Sequence, residues 1–284
     1  MQELKGMPVV KQIADDVATQ MDKLKTKGIV PKLAVVRVGE REDDLSYERG
    51  LMKRFSSVNA LVTSVVYPDS VSQDELEAGI HRLNQDDSVH GILVFRPLPK
   101  TIDEEKIREL VSPGKDVDCM GSINSAHLFA QDGKGHAPCT PQAVMEMLSF
   151  YGINIRGKRA VVVGRSMVVG KPLAMMLLKE NATVTICHTK TENLKERCKE
   201  ADLIFACAGV AQMIDASYVR EGQIIIDVGI NMLEGKLCGD VKYDEVKDIV
   251  EAISPVPGGV GTVTTSVLLK HTVESAISCE GSTT

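Results

Sequence analysis

Two glycines and a proline between two apolar runs carry the clearest chemical signal in this 284-residue chain. Residues 159–163, RAVVV, form a short run rich in β-branched side chains, as in a strand buried on both faces. Gly164 ends the run, Gly170 follows six residues later, and Pro172 stands where a helix can begin without losing a needed N–H bond. Leu173, Ala174, Leu177 and Leu178 give that helix an apolar face, and a second β-branched run covers 183–186. Strand, glycine turn, helix and strand make a βαβ unit, whose turn brings backbone N–H groups and a helix N-terminus up to a phosphate. The spacing is not G-x-G-x-x-G, because Ser166 and Val169 stand where the inner glycines belong. The turn alone therefore fits either a dinucleotide or plain close packing of helix on strand. An acid that would read a ribose hydroxyl at the end of the second strand is absent; His188, Thr189 and Lys190 stand there. Those residues tolerate a 2′-phosphate that a carboxylate would repel. With Arg165, they favour NADP over NAD.

The elements needed to position such a turn recur along the chain. Residues 7–27 have helical periodicity through Val9, Ile13, Val17 and Met21. Residues 33–38, 61–67 and 89–95 read as strands. Helices are expected at 46–57, at 72–85 behind a Ser72/Glu75 capping pair, and at 103–111. An acidic loop is expected at 40–44, and 112–141 reads as loop-rich. Further helices are expected at 142–151, 193–200 and 264–277, and further strands at 203–208 and 224–228. Residues 254–261 form a rigid turn, and a small polar tail runs from Cys279 to Thr284. The order predicts an α/β fold with parallel sheets in two halves. Gly39, Arg96, Gly164, Gly209 and Gly229 fall at strand C-termini, where such sheets bind ligands.

Composition narrows the function. A net charge of −6 argues against a nucleic-acid partner. No apolar run approaches the roughly 20 residues of a membrane span, and the first residues lack the apolar core of a signal peptide. Seven cysteines without a C-x-x-C pair suggest reduced thiols and a cytoplasmic location. The six histidines show no ligand spacing, so no metal is expected.

Several motifs occur together: GILV-x-x-PLP at 91–99, KDVD at 115–118, PCTP at 138–141, GRSMVVGKPLAMMLL from Gly164, CHTKT from Cys187, DVGIN at 227–231, GDV at 239–241 and PVPGGVG at 255–261. In combination they resemble the bifunctional methylenetetrahydrofolate dehydrogenase/cyclohydrolase family almost end to end. The resemblance implies a folate-binding domain at 1–140 with a returning C-terminal segment 264–284. It implies a Rossmann-type NADP-binding domain at 141–263, a cleft between the two domains, and a homodimer. The family oxidises 5,10-methylenetetrahydrofolate to the methenyl form and then hydrolyses that to 10-formyltetrahydrofolate.

Carried over by motif, Tyr47 and Asp118 are the expected catalytic residues. Tyr47, Phe95, Leu98, Asp118, Pro257, Gly258 and Gly259 would line the folate site. Gly164, Arg165, Ser166, Gly170, His188, Thr189, Gly209, Gly229 and Ile230 would hold the cofactor. Without the family, Asp118 would be read as a loop aspartate, Arg165 as a surface residue and 255–261 as a turn.

Three departures stand out. The family's Tyr-x-x-x-Lys ends in Leu51, so the cyclohydrolase lysine is missing. Lys53 lies about 200° round the helix from that position. The glutamine that supports the lysine is replaced by Phe95, and Gly-Phe-His-Pro after KDVD is replaced by Cys119-Met120-Gly121-Ser122. A proton-transfer lysine needs polar neighbours to set its pKa, so the first two changes belong together. They point to a dehydrogenase with weak or absent cyclohydrolase activity. A bifunctional enzyme with a substituted proton-transfer group, a non-catalytic folate- or NADP-binding relative, and a dehydrogenase of another reduced pterin remain alternatives. Cys119 has no histidine base placed beside it by motif and is not expected to be a nucleophile.

Overall fold

Runs of β-branched residues build two separate parallel sheets. The computed structural model describes residues 1–280; the end of the expected 264–284 segment and of the polar tail, residues 281–284, lies outside them. The chain opens with β1 (Gln2–Glu3) and α1 (Gly6–Thr26). It alternates through β2 (Lys32–Val38), α2 (Glu42–Ser56), β3 (Leu61–Tyr67), α3 (Gln73–Gln85), β4 (Gly91–Val94) and α4 (Glu104–Leu110). Two helices follow, α5 (Ser122–Ala130) and α6 (Cys139–Phe150). Then come β5 (Arg159–Val163), α7 (Gly170–Lys179), β6 (Thr183–Cys187), α8 (Leu194–Glu200), β7 (Leu203–Ala206) and β8 (Ile224–Asp227). The hairpin β9 (Asn231–Leu233) and β10 (Lys236–Cys238), the short α9 (Tyr243–Val246), β11 (Ala252–Ile253) and the long α10 (Val260–Glu280) complete the described chain.

The chain divides into two compact units. One holds Gln12–Cys139 and the segment from Thr265. Its sheet has the order β3-β2-β4, all parallel. Ala34, Val36 and Val38 of β2 pack with Ile92 and Val94 of β4 against Leu76 and Ile80 of α3 and Ile107 of α4. At about 25 cal/mol per Å² of apolar surface removed from water, such burial is what holds a helix to its sheet.

The other unit holds Met1–Lys11 and Thr140–Thr264. Its six strands run parallel in the order β1-β11-β8-β7-β5-β6. Register places Val163, Cys187, Ala206 and Asp227 level across this sheet. The turns after these four strands therefore emerge along one edge.

The sequence differs from the structure mainly where a helix is started from a distance. The expected loop 40–44 is confined to Glu40 and Arg41: Glu42, Asp43 and Asp44 form the first turn of α2, where acids favour the helix dipole. The loop-rich stretch 112–141 contains α5, which starts without a side-chain cap from its own N-terminus. Asp116 accepts the Gly121 N–H and Glu109 accepts the Ser122 N–H instead. Helix α6 begins at Cys139, not 142, with its first N–H donated to Asp118. Helix α10 begins at Val260, not 264. The β9–β10 hairpin has no counterpart in the sequence reading; its two-residue turn places Glu234 and Gly235 both at positive φ. Met1–Lys11, grouped by sequence with 1–140, joins the other unit because β1 pairs with β11. The Ser72/Glu75 capping box is present as expected.

Two stacked histidines, His271 buried and His136 partly buried, sit by the KDVD segment. His271 Nδ1 donates to the Val117 carbonyl at 2.9 Å, and its ring stacks on His136 at 4.4 Å between centroids. Burial holds His136 down to about 4 and His271 to about 3, the latter helped by the neighbouring His136. Glu274, 3.7 Å from His136 Nδ1, and Lys270 are the charged groups beside them. Both imidazoles fold neutral, so between pH 6.5 and these values the unfolded chain binds more protons than the folded one. Stability therefore falls as pH drops below 6.5, by up to about 1.4 kcal/mol per pH unit for each histidine. Urea midpoints measured from pH 7 to 4.5 should fall for the wild type. The fall should be shallower for His271→Asn, which keeps a donor for Val117; parallel curves would refute this account.

Candidate active site

The edge along which β5, β6, β7 and β8 end carries the expected cofactor residues. Gly164 has φ +141°, and a Cβ there would run into the Cys207 carbonyl. A Cβ on Gly170 would lie 2.6 Å from the Gly164 carbonyl carbon and 2.9 Å from Arg165 N. These two glycines let the start of α7 press directly on the turn after β5. Ser166 Oγ accepts the Val169 N–H at 3.0 Å and folds the turn back on itself. Arg165 and Ser166 stay exposed at its rim. After β6, the His188 N–H donates to Thr191 Oγ1 and the Lys190 N–H to His188 Nδ1, leaving Thr189 exposed. Gly209, at φ +64°, turns the chain after β7.

A cavity of about 240 Å³ brings two expected groups together. Gly229 and Ile230, expected for the cofactor, and Pro257, Gly258 and Gly259, expected for the folate, all line it. The Gly6 N–H donates to the Gly258 carbonyl at 2.8 Å, so the first turn of α1 braces the 255–261 turn. Asp227 also lines the cavity. It accepts the N–H groups of Gly229, Asp240 and Val241, while burial and the Asp240 charge push it up to about 7. Neither aspartate was singled out by sequence, although both lie in quoted motifs; the G-D-V following D-V-G is the available signal.

In the unit built on β2, β3 and β4, Tyr47 on α2 meets Phe95 at the end of β4. The rings stand edge to face, 5.7 Å between centroids. Leu51, one turn after Tyr47, is completely buried. Glu48, the residue after Tyr47, is also buried and bound by Arg37 Nε at 3.1 Å and by Ser64. Leu98 is partly buried in the loop after Phe95, and its N–H donates to Glu104.

The KDVD motif splits by role. Lys115 caps α3 through the carbonyls of Leu83, Asn84 and Asp86. Asp116 is buried and holds Met120, Gly121 and Asn124. Val117 is core. Asp118 is only partly buried; burial of its carboxyl raises its pKa, opposed by the Cys139 N–H and by the charge of Arg96. Its oxygens suit paired N–H donors of a ring edge. Burial pushes the Cys119 thiol up to about 12, which keeps it protonated and a poor nucleophile.

His136, His271 and Glu274 place ligand-type atoms within 4.8 Å of one another. The two rings stack with 23° between planes, so their lone pairs run side by side instead of converging on an ion.

Among the described residues no helix is long and apolar enough to cross a membrane. The close contact at Gly170 yields a direct test. Gly170→Ala must force backbone from backbone and should lower stability by about 1–3 kcal/mol in denaturant unfolding. An unchanged midpoint would show that the turn has slack.

Comparison with known proteins fits both units. Residues 4–118 match the catalytic domain of tetrahydrofolate dehydrogenase/cyclohydrolase, and residues 138–280 match its NAD(P)-binding domain. The bifunctional protein FolD of Carboxydothermus hydrogenoformans is 50% identical over 277 residues, 96% of either chain. The crystal structure of the bifunctional FolD enzyme of Campylobacter jejuni superposes with a TM-score of 0.96 at 41% identity, covering 98% of this chain and 99% of that one. A FolD structure from Trypanosoma brucei, complexed with NADP cofactor and an inhibitor, gives 0.91 at 34% identity and 97% coverage of each. With both domains matched and half of all residues shared with a relative over nearly its full length, the chain is an enzyme that belongs to the tetrahydrofolate dehydrogenase/cyclohydrolase family.

Proposed function

We propose that this protein oxidises 5,10-methylenetetrahydrofolate with NADP⁺ and has weak or absent cyclohydrolase activity. The carrying observation is the pair Leu51 and Phe95. Leu51 is fully buried and Phe95 is 7% exposed, packed on Tyr47. In place of a lysine and its supporting glutamine stand two apolar side chains that cannot carry a proton. The titratable groups nearby do not supply a replacement. Lys53 and Lys100 are exposed, and Glu48 is committed to Arg37 and Ser64. Asp118 takes the Cys139 N–H and is suited to hold the pterin.

The second unit fits NADP by its own construction. The glycine-permitted contact between α7 and the turn at 164–170 leaves backbone N–H groups and exposed Arg165 and Ser166 available to phosphates. His188, Thr189 and Lys190 offer no carboxylate against a 2′-phosphate. NADP, when bound, supplies the nicotinamide carbon that takes the hydride. The protein's task is then to hold two rings at a fixed distance and angle, which needs no proton-transfer lysine. Tyr47 and Phe95 offer aromatic surface to one of them. The reading includes a homodimer whose partners are folate derivatives and NADP, with no nucleic acid.

The test follows reduced nicotinamide and methenyl product together. With 5,10-methylenetetrahydrofolate and NADP⁺, both should rise in step, and the methenyl form should then decay at the buffer rate. Rapid consumption of the methenyl form would show that another group has replaced the lysine. Absence of NADPH and of NADH would leave a binding protein. In the Leu51→Lys, Phe95→Gln double variant, methenyl hydrolysis should rise above the buffer rate, toward the 10²–10⁴-fold range typical of general acid–base catalysis.

A further inference from the structure

Asp227 and Asp240 are interlocked. Asp240 is completely buried. Its Oδ2 accepts the N–H of Ala208 at 2.6 Å and of Gly209 at 2.9 Å. Its Oδ1 accepts the N–H of Val210 and an Asn231 Nδ2–H, both at 2.9 Å. Its own N–H donates to Asp227 Oδ1 at 3.0 Å, and Asp227 Oδ1 also accepts the Gly229 N–H. Each carboxylate lies against a glycine from the other's motif: a Cβ on Gly229 would overlap Asp240 Oδ1, and one on Gly239 would overlap Asp227 Oδ2. The two turns joined in this way follow neighbouring strands, β7 and β8, whose last residues are level. One turn carries Gly209; the other carries Gly229 and Ile230 and lines the 240 Å³ cavity.

We propose that Asp240 is a positioning residue for cofactor binding: its carboxylate holds the turn 208–210 and, through Asn231, the turn 229–231 in the one arrangement that receives the cofactor. This rests on the reading that the unit binds NADP. Asp240 does not line the cavity and has no exposed surface, so it acts only through the backbone it holds. Three backbone N–H groups of consecutive residues converge on it. Without an acceptor they must turn toward water, because a buried unpaired donor costs about 1–3 kcal/mol. Three such donors exceed what a three-residue turn can absorb in place. An amide at this position keeps one acceptor oxygen and sets an NH₂ against N–H groups.

The experiment titrates full-length wild type, Asp240→Asn and Asn231→Ala with NADPH, following nicotinamide fluorescence, with thermal unfolding of each and the KM for 5,10-methylenetetrahydrofolate. Asp240→Asn should bind NADPH at least tenfold more weakly while its folate KM stays within about twofold. Asn231→Ala, which loses one of four donors, should weaken NADPH severalfold with little change in unfolding temperature. A purely structural role would lower the unfolding temperature and the active fraction but leave the NADPH Kd of the folded protein unchanged, and that result overturns the proposal. If Asp240→Asn does not fold, Asn231→Ala decides: an unchanged Kd overturns the coupling of the two turns. If wild type itself fails to bind NADPH, the underlying cofactor reading fails, a result distinct from wild-type binding with unaffected variants.

Discussion

Buried carboxylates that accept several backbone N–H groups are the interaction on which both units depend. A parallel sheet leaves the chain after each strand in a turn whose N–H groups have no ladder partner. Here aspartates meet that need. Asp116 holds the turn that starts α5, Asp118 the start of α6, Asp227 the chain on either side of the β9–β10 hairpin, and Asp240 the turn after β7. Hydrogen bonds to charged acceptors contribute about 1.5–3 kcal/mol each, more than neutral ones. The donors recover part of the cost of burying the charge, although burial still raises the pKa of Asp116, Asp118 and Asp227, and they narrow the geometry of each turn. Sites built from such turns are preorganised before a ligand arrives.

The two units use this device for different ends. In the six-stranded unit the turns after β6, β7 and β8 are fixed by side-chain acceptors, Thr191, Asp240 and Asp227, which take their N–H groups and preset the turn geometry. In the three-stranded unit Asp116 does the structural work, and Asp118, two residues on, is only partly buried. On the proposed function, the first carboxylate serves stability and the second the substrate. This division explains why the motif cannot be assigned a single role.

The parts legible in the sequence are those whose cause is local. The strands β2, β4, β5 and β8 are runs of β-branched and apolar residues, and α3 announces itself by its capping box. Gly164, Gly170 and Pro172 mark from spacing alone a strand-turn-helix, while its use for a dinucleotide becomes legible only with the surrounding motifs. The illegible parts have distant causes. Helix α5 starts on acceptors from Glu109 and Asp116, and α6 on Asp118, so neither has a cap beside it. The hairpin β9–β10 is short and mostly exposed, and Glu-Gly is a weaker turn signature than Asn-Gly. The Asp227–Asp240 lock spans thirteen residues; the paired D-V-G and G-D-V motifs mark the two aspartates, but only the backbone shows which N–H groups converge on them.

Leu51 and Phe95 must be judged as one change. A lysine in the fully buried position of Leu51 would place an ammonium in the core, and an unpaired buried charge costs several kcal/mol. It would be driven neutral or forced outward, and in neither state would it be an effective acid. A glutamine at 95 without the lysine would bury an amide with a donor or acceptor unmet. By this argument each single substitution is less favourable than the apolar pair that this chain holds. The aromatic contact of Phe95 with Tyr47 stabilises that choice and leaves a wall suited to a flat ring rather than to a proton. On the proposed function, a site so arranged keeps the demands of hydride transfer, which are geometric, and drops those of hydrolysis, which are electrostatic.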